Sequence, residues 1–279
     1  MSDKISNMLV DSHAHLNFLA YNNDLSEVVK RSLAEDVWVV NIGSKYDTSK
    51  KAVEIAEKYE GVFAVVGLHP IHSTPGLVKI KTDPEEGDFN VTGEDFDINK
   101  YRELARSKKV VGIGEIGLDY YYRPKTKTKL QLFKEKQKEA FLDQLGLAKE
   151  LKLPVVFHCR MAHDDLLGIL RERSGFSGVV HCFTGNWEQA KEYLGMGFFL
   201  GLNGIMFKLD LDEVVKKTPL ERILIETDCP YLTPPQAGAS RNEPIFVKHI
   251  AERIAELRGM DYREVAEATT LNAKKLFNI

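Results

Sequence analysis

Two histidines separated by one residue constrain the fold of this chain more than any other feature. They follow the apolar residues 8–10, which read as the start of a first β-strand. Side chains at positions i and i+2 of a strand point to the same face, so His13 and His15 project together. Two imidazoles side by side at a strand end can hold one divalent cation. The rest of the chain is expected to bring further ligands to this point.

Short apolar segments recur along the chain and predict eight strands, at residues 8–15, 37–42, 62–67, 110–115, 154–158, 178–181, 198–202 and 223–226. A helical pattern follows each strand, and helices at about 244–258 and 261–275 close the chain. This alternation, without a break in composition over residues 1–279, predicts a single-domain TIM-like (β/α)₈ barrel of the α/β class. An open doubly wound sheet is the alternative, but no glycine-rich phosphate loop follows an early strand.

Residues 71–96 interrupt the alternation of strands and helices. They hold two prolines, three glycines and the acidic run 83–88, and they predict a long loop inserted after the third strand. A small hairpin pairing 79–81 with 89–91 fits the pattern. Connections of this length are usually functional or mobile. An acidic run lying over the mouth of the barrel would repel a phosphate backbone.

The overall charge and the cysteine content limit the class of protein. The net charge of −3 gives no global basic field, so any attraction for nucleic acid is local or supplied by metal. Three cysteines and no leader-like segment indicate a reducing compartment. No apolar run approaches the roughly 18 residues that a membrane span needs. We expect a cytoplasmic monomer without membrane attachment.

Side chains that can bind a metal follow five of the predicted strands. They are His13, His15, Glu115, His158, His181 and Asp228, and His69 follows a further strand beside them. Active sites of such barrels lie at the carboxyl ends of the strands, so this set converges on one mouth. Four imidazoles and two carboxylates predict a centre for two divalent cations, with Glu115 between them. Histidine ligands suit Zn²⁺, whereas phosphoryl chemistry tolerates Mg²⁺ or Mn²⁺, and all three stay open.

Other histidines and the cysteines receive a structural interpretation. His72, His163 and His249 are read as polar residues at element ends rather than ligands. Each cysteine directly follows a candidate ligand, at positions 159, 182 and 229. Because strand alternation turns the next side chain to the opposite face, we expect buried, inert thiols.

Candidate substrate contacts follow the fourth, fifth and eighth strands. Tyr120 and the next two tyrosines precede Arg123 and three lysines in one loop. Aromatic rings beside cations suit a single-stranded nucleic acid, although the tyrosines could equally be packing residues. The forked donors of Arg160 suit a phosphate. Arg241 is expected to hold substrate or to brace the ligands.

Seven segments, in order over nearly the whole chain, resemble the TatD-type deoxyribonucleases of the metal-dependent hydrolase superfamily. They are DSHAH at 11–15, GLHP at 67–70, GIGEIGLDY at 112–120, VFHCR at 156–160, HCFTG at 181–185, ETDCP at 226–230 and RNEP at 241–244. The resemblance implies a TIM-like barrel, a divalent-metal centre and DNase activity, often 3′→5′ exonucleolytic on single-stranded DNA. It also implies metal ligation by the same six residues that the strand ends predict.

A mechanism follows as a hypothesis. His13, His15, Glu115 and Asp228 would hold one cation, and Glu115, His158 and His181 the other. Such a pair would lower the pKa of a bound water toward about 7. Asp228 orients that water and takes its proton, and His69 and Arg160 bind phosphate oxygens.

Two other functions stay open. The same barrel could hydrolyse a small ester, an amide or an aminoacyl-tRNA, or it could be a non-catalytic binding protein. Small-molecule hydrolases of the superfamily often bridge their metals with a carboxylated lysine, and Glu115 at that position favours the nuclease. A binding protein would be expected to have lost a ligand, and all six are present.

Overall fold

The computed structural model describes residues 8–78, 84–87 and 94–279. Eight parallel strands form one sheet in chain order. They are β1 (Leu9–Ala14), β2 (Val37–Ile42), β3 (Val62–Val66), β4 (Val110–Asp119), β5 (Val155–Arg160), β6 (Gly178–Val180), β7 (Phe199–Leu202) and β8 (Ile223–Ile225). Nine α-helices lie within these ranges, α1 (Leu25–Ala34), α2 (Tyr46–Lys58), α3 (Ile98–Leu104), α4 (Lys127–Leu151), α5 (His163–Arg171), α6 (Trp187–Gly195), α7 (Asp212–Lys217), α8 (Val247–Arg258) and α9 (Tyr262–Phe277).

The sheet closes between its first and last strands, just past the strand ends. Ala14 pairs with Cys229, and the Asp228 amide donates to the His13 carbonyl at 2.8 Å. The Asp11 carboxylate accepts hydrogen bonds from the Thr227 amide at 2.8 Å and from its hydroxyl at 2.5 Å. The predicted (β/α)₈ barrel is therefore confirmed, and we refer to this junction as the β1–β8 seam.

The strands are buried on both faces, as parallel strands enclosed by helices must be. Every residue of β1 and of β4 is buried. Apolar side chains from all eight strands, among them Val10, Val65 and Phe199, pack inside the barrel against Leu276 and Phe277 of α9. The Phe277 ring would lie 3.7 Å from a Cβ at Gly112, near the start of β4. The last helix therefore covers the end of the barrel opposite the predicted ligands.

The fourth strand is longer than predicted. We expected a strand that ends at Glu115 and a loop from Ile116, but β4 continues to Asp119. Residues 116–119 pair with 157–160, so β5 also extends beyond its predicted end, to Arg160. Ile116 and Leu118 are buried, and their pairing with β5 continues the strand past Glu115. Glu115 therefore lies inside a strand.

The long connection after β3 is described only in part. Pro70–Ser73 form a single 3₁₀ turn, and residues 84–87 lie against the mouth of the barrel. The predicted hairpin of 79–81 with 89–91 falls outside the described residues. Across the ranges that are described, no helix is long and apolar enough to cross a membrane.

Candidate active site

A cavity of about 400 Å³ opens where the strands end. Five of the six predicted ligands line it, namely His15, Glu115, His158, His181 and Asp228. The sixth, His13, is fully buried, and its ring stacks on that of His181 with centroids 3.9 Å apart. The side chains predicted from four separate strands and the segment after β8 are thus brought together.

The first group of ligand atoms comes from β1 and the segment after β8. The Nε2 atoms of His13 and His15 are 3.2 Å apart. His15 Nδ1 lies 2.9 Å from the Ile42 carbonyl, to which it can only donate, so its Nε2 presents a lone pair to the cavity. An Asp228 oxygen lies 3.4 Å from His15 Nε2 and 3.7 Å from His13 Nε2.

Glu115 lies between this group and a second one. Its Oε2 is 3.5 Å from His13 Nε2. Its Oε1 is 2.6 Å from His181 Nε2 and also contacts His158 Nδ1. One carboxylate therefore faces imidazoles of both groups, which is the arrangement that a bridging ligand requires.

The donor set fits divalent cations. His13, His15 and Asp228 offer atoms within 4.8 Å of one another, and so do His13, Glu115 and His181. Imidazole nitrogen and carboxylate oxygen are ordinary ligands for zinc and related ions. Lone pairs directed at one another across such distances need a proton or a cation between them.

The carboxylates and the imidazoles of His13 and His69 are held in the forms that bind metal, whereas the carboxylates that face His15, His158 and His181 outweigh burial and raise the pKa of those three imidazoles. Burial alone raises the pKa of Glu115 and of Asp228, but the surrounding imidazoles outweigh it. The pKa of Glu115 falls well below its ordinary value and that of Asp228 falls below its own. Burial and neighbouring imidazoles lower the pKa of His13, and they lower the pKa of His69 to about 4. Ionised carboxylates and neutral imidazoles are the forms that bind metal.

Asp119 is a site residue that the sequence analysis missed. Its Oδ2 lies 3.2 Å from His158 Nε2 and 2.7 Å from an Arg160 guanidinium nitrogen, and the side chain is 2% exposed. Together His69, Asp119 and His158 form a third cluster of possible ligand atoms. The available signal was the spacing of Glu115, Gly117 and Asp119, which alternate along one strand, but the strand was predicted to end too early.

Glu226 was also missed. It is fully buried, and its Oε1 accepts hydrogen bonds from the Cys182 amide at 2.6 Å and from Asn203 at 3.0 Å. The same atom lies 3.6 Å from His181 Nδ1. The side chain therefore fixes the turn that carries His181. The sequence feature that could have identified Glu226 is its position directly after β8, two residues before Asp228.

The candidate substrate residues lie in different surroundings. His69 Nε2 is 3.4 Å from Glu115 Oε1, and Arg160 lines the cavity with its guanidinium 4.5 Å above the Tyr121 ring. Tyr120 is 5% exposed and donates its hydroxyl to Asp165, so it is a packing residue.

Tyr121 and Tyr122 are the exposed aromatics of this loop, at 56% and 42%. Arg123 is exposed beside them. Arg241 forms a paired contact with Asp24 at 2.6 and 2.9 Å. Asp24 is not a proposed ligand, so a role of Arg241 in holding substrate or bracing the ligands stays a prediction.

The three cysteines and His72 are the remaining side chains near the site that were interpreted from the sequence. Cys159 and Cys229 are buried, as expected, whereas Cys182 is partly exposed. Cys159 and Cys182 both line the cavity, so the expectation that each thiol faces away from it is wrong for these two, and Cys182 lies outside a strand with φ of 43°. Burial raises the pKa of all three thiols, that of Cys159 to about 12, so the reactive thiolate is disfavoured. His72, interpreted from the sequence as a polar residue, also lines the cavity.

Known proteins resemble this chain in sequence and in fold. A family model described as "TatD related DNase" matches residues 10–278. The "Uncharacterized metal-dependent hydrolase YabD" of Bacillus subtilis is 42% identical over 98% of this chain and 100% of that protein. The "3'-5' ssDNA/RNA exonuclease TatD" of Cronobacter sakazakii is 33% identical over 92% of this chain and 93% of that protein. The crystal structure of YJJV, a TatD homolog from Escherichia coli K12, superposes with a TM-score of 0.80 at 27% identity and covers 99% of both chains.

Proposed function

The chain belongs to the TatD-related DNase family of metal-dependent hydrolases, and from this premise we propose that it is a two-metal 3′→5′ exonuclease of single-stranded DNA. The observation that carries the proposal is the position of Glu115 between two groups of imidazoles. Relatives named as 3'-5' ssDNA/RNA exonucleases support the polarity and the substrate.

The proposed ligands follow the two groups of side chains. His13, His15, Glu115 and Asp228 would hold one cation, and Glu115, His158 and His181 the other. Bound divalent cations supply an activated water and neutralise charge that develops on a phosphate. Zn²⁺, Mg²⁺ and Mn²⁺ are all compatible with nitrogen and oxygen donors of this kind.

The remaining side chains bind and orient the substrate and move its protons. Asp228, held ionised by nearby imidazoles, is placed to accept the proton of the attacking water. His69 accepts a hydrogen bond from the Ile71 amide through Nδ1 at 3.1 Å, so its Nε2 carries the proton and can donate to a phosphate oxygen. Arg160, fixed by Asp119, can donate to the same phosphate.

The aromatic loop after β4 supports a single-stranded substrate. The rings of Tyr121 and Tyr122 are exposed, and their centroids are 4.8 Å apart. The Arg160 guanidinium covers one face of the Tyr121 ring. Exposed aromatic rings beside a cation stack on unpaired bases, and each such contact contributes about 1–3 kcal/mol. Bases in a duplex are already stacked and could not use this surface.

The test is digestion of single-stranded DNA labelled at its 3′ or its 5′ end, with Mg²⁺, Mn²⁺ or Zn²⁺. The wild type should shorten the strand stepwise from the 3′ end, and Glu115→Ala and Asp228→Ala should not. Glu213→Ala removes an exposed carboxylate on α7 and is the matched control. Metal content of each purified variant is measured in parallel. Equal cleavage by all proteins would mean contamination and would refute the nuclease.

A further inference from the structure

One wall of the cavity carries a carboxylate that the proposed metal centre does not use. Glu86 lies in the described segment 84–87 and lines the cavity near the ends of β2 and β3. Its Oε1 is 3.1 Å from His72 Nε2 and accepts a hydrogen bond from the Ser44 hydroxyl. The Glu86 side chain is 11% exposed. The carboxylate is thus held in place at the cavity wall rather than extended into solvent.

Backbone contacts hold this segment against the barrel. The Ala20 amide donates to the Glu85 carbonyl at 3.0 Å. On the adjoining 3₁₀ turn, the Glu94 amide donates to the His72 carbonyl at 3.1 Å. The backbone next to the carboxylate and the backbone of its imidazole partner are therefore each anchored by a hydrogen bond.

Glu86 presents a negative charge to the cavity. Burial alone raises its pKa, but the hydrogen bonds from His72 and Ser44 outweigh it, and the pKa falls below its ordinary value. The Glu86 carboxylate is therefore ionised at the cavity wall. Farther round the mouth, after β5, the Arg160 guanidinium, which is paired with Asp119, offers hydrogen-bond donors beside the exposed ring of Tyr121. The cavity therefore has a carboxylate on one wall and guanidinium donors on another.

These two walls would orient a nucleic acid strand. Its phosphates and unpaired bases suit the side of Arg160 and Tyr121. Phosphates would be repelled from the side of Glu86, where a group that donates a hydrogen bond is preferred. At about 400 Å³ the cavity is near the lower end of the range for ligand pockets, so it has room for a strand terminus.

We infer that Glu86 is a specificity-determining residue that accepts a hydrogen bond from the free 3′-hydroxyl of the terminal nucleotide and rejects strands that end in a 3′-phosphate. A hydroxyl can donate to an ionised carboxylate and form a charge-assisted hydrogen bond. A terminal phosphate carries about −1.5 to −2 charges and has no comparable donor. The inference rests on the proposed exonuclease activity.

The test compares two oligonucleotides of one sequence, one ending in a 3′-hydroxyl and the other in a 3′-phosphate, both labelled at the 5′ end. The rates kcat/KM are measured at pH 8, above the ordinary titration range of histidine. We expect the wild type to prefer the 3′-hydroxyl by about tenfold or more, since like-charge contacts are strongly disfavoured. Glu86→Gln keeps an acceptor for Ser44 but loses the charge, and should reduce the preference to about threefold or less.

Glu85→Gln is the matched control because it removes the same charge from the adjacent, exposed position. It should keep the wild-type preference, and the thermal unfolding temperatures of all three proteins should agree. A wild type that degrades both strands at one rate, or a Glu86→Gln variant that keeps the full preference, would overturn the proposed role of Glu86. Either result would leave the exonuclease proposal standing. If neither strand is shortened with any metal, the exonuclease proposal fails and this inference fails with it.

Discussion

His158 shows how much at this site depends on a single imidazole. Its Nδ1 contacts Glu115, and its Nε2 lies 3.2 Å from Asp119. A carboxylate on the far nitrogen fixes the tautomer and the ring orientation, so that the near nitrogen presents a lone pair. Asp119 also contacts Arg160, so this positioning residue links a proposed ligand to a proposed phosphate contact.

Asp119→Asn tests whether Asp119 positions His158 and Arg160, because the substitution keeps the size of the side chain. The amide can still accept a hydrogen bond, but it cannot hold the charge of Arg160, so we expect metal affinity or kcat/KM to fall about 10- to 100-fold. Metal affinity is measured by competition with a chromophoric chelator, and kcat/KM on labelled single-stranded DNA. Asp165→Asn, at a carboxylate 47% exposed, is the control and should stay within about twofold. A similar small effect at Asp119 would contradict the positioning role.

The six proposed ligands could be found in the sequence because each stands at or just after an apolar segment. Asp119 could not be found in this way, since its position depends on the pairing of residues 116–119 with β5. The sequence also could not distinguish the buried Tyr120 from the exposed Tyr121 and Tyr122. The direction in which each ring points is decided by packing around Asp165 and Arg160 rather than by local sequence.

At the scale of elements, α4 is joined to the mouth of the barrel by two buried glutamines. Gln137 accepts a hydrogen bond from the Asp119 amide and donates to the Asp119 carbonyl, both at 2.9 Å. Two helical turns later, Gln144 binds the amide and the carbonyl of Leu68 at 2.7 and 3.0 Å. One helix therefore fixes the backbone beside two site residues, Asp119 and His69.

Gln137→Met should reveal the strength of this contact. The substitution keeps the volume but leaves a buried amide and a buried carbonyl without partners, and each costs about 1–3 kcal/mol. We expect the free energy of unfolding, measured by urea denaturation, to fall by about 3 kcal/mol. Gln131→Met lies on the exposed face of the same helix and should change it by less than about 0.5 kcal/mol. Equal losses of unfolding free energy in the two variants would contradict the proposed contribution of the Gln137 hydrogen bonds.

The eight strands could be predicted because both faces are buried, which leaves nearly continuous apolar runs in the sequence. The glutamine contacts could not, because polar residues on an amphipathic helix ordinarily face water. Only the assembled barrel shows that Gln137 and Gln144 face inward.

At the scale of the whole molecule, the proposed centre joins strands from both halves of the barrel. Ligands that bind only the folded state stabilise it, by about 2.7 kcal/mol when the free ligand is at 100 times its Kd. We therefore expect Mn²⁺ or Zn²⁺ to raise the thermal unfolding temperature by about 5 °C, and a chelator to reverse the change. In the Glu115→Ala variant, added metal should no longer raise the thermal unfolding temperature. A shift that survives in this variant would place the stabilising metal elsewhere.

The β1–β8 seam also bears on how the protein is made. Asp11 and Thr227, which join across it, are separated by 216 residues of sequence. At a synthesis rate of about 5–20 residues per second, roughly 10–40 s pass between the first strand and the last leaving the ribosome. Under the proposed assignment, Glu115, His158 and His181 are available earlier, whereas the cation shared by His13 and Asp228 must wait until the segment after β8 has left the ribosome. Loading of that cation would then report that the last strand has been made and that the barrel has closed.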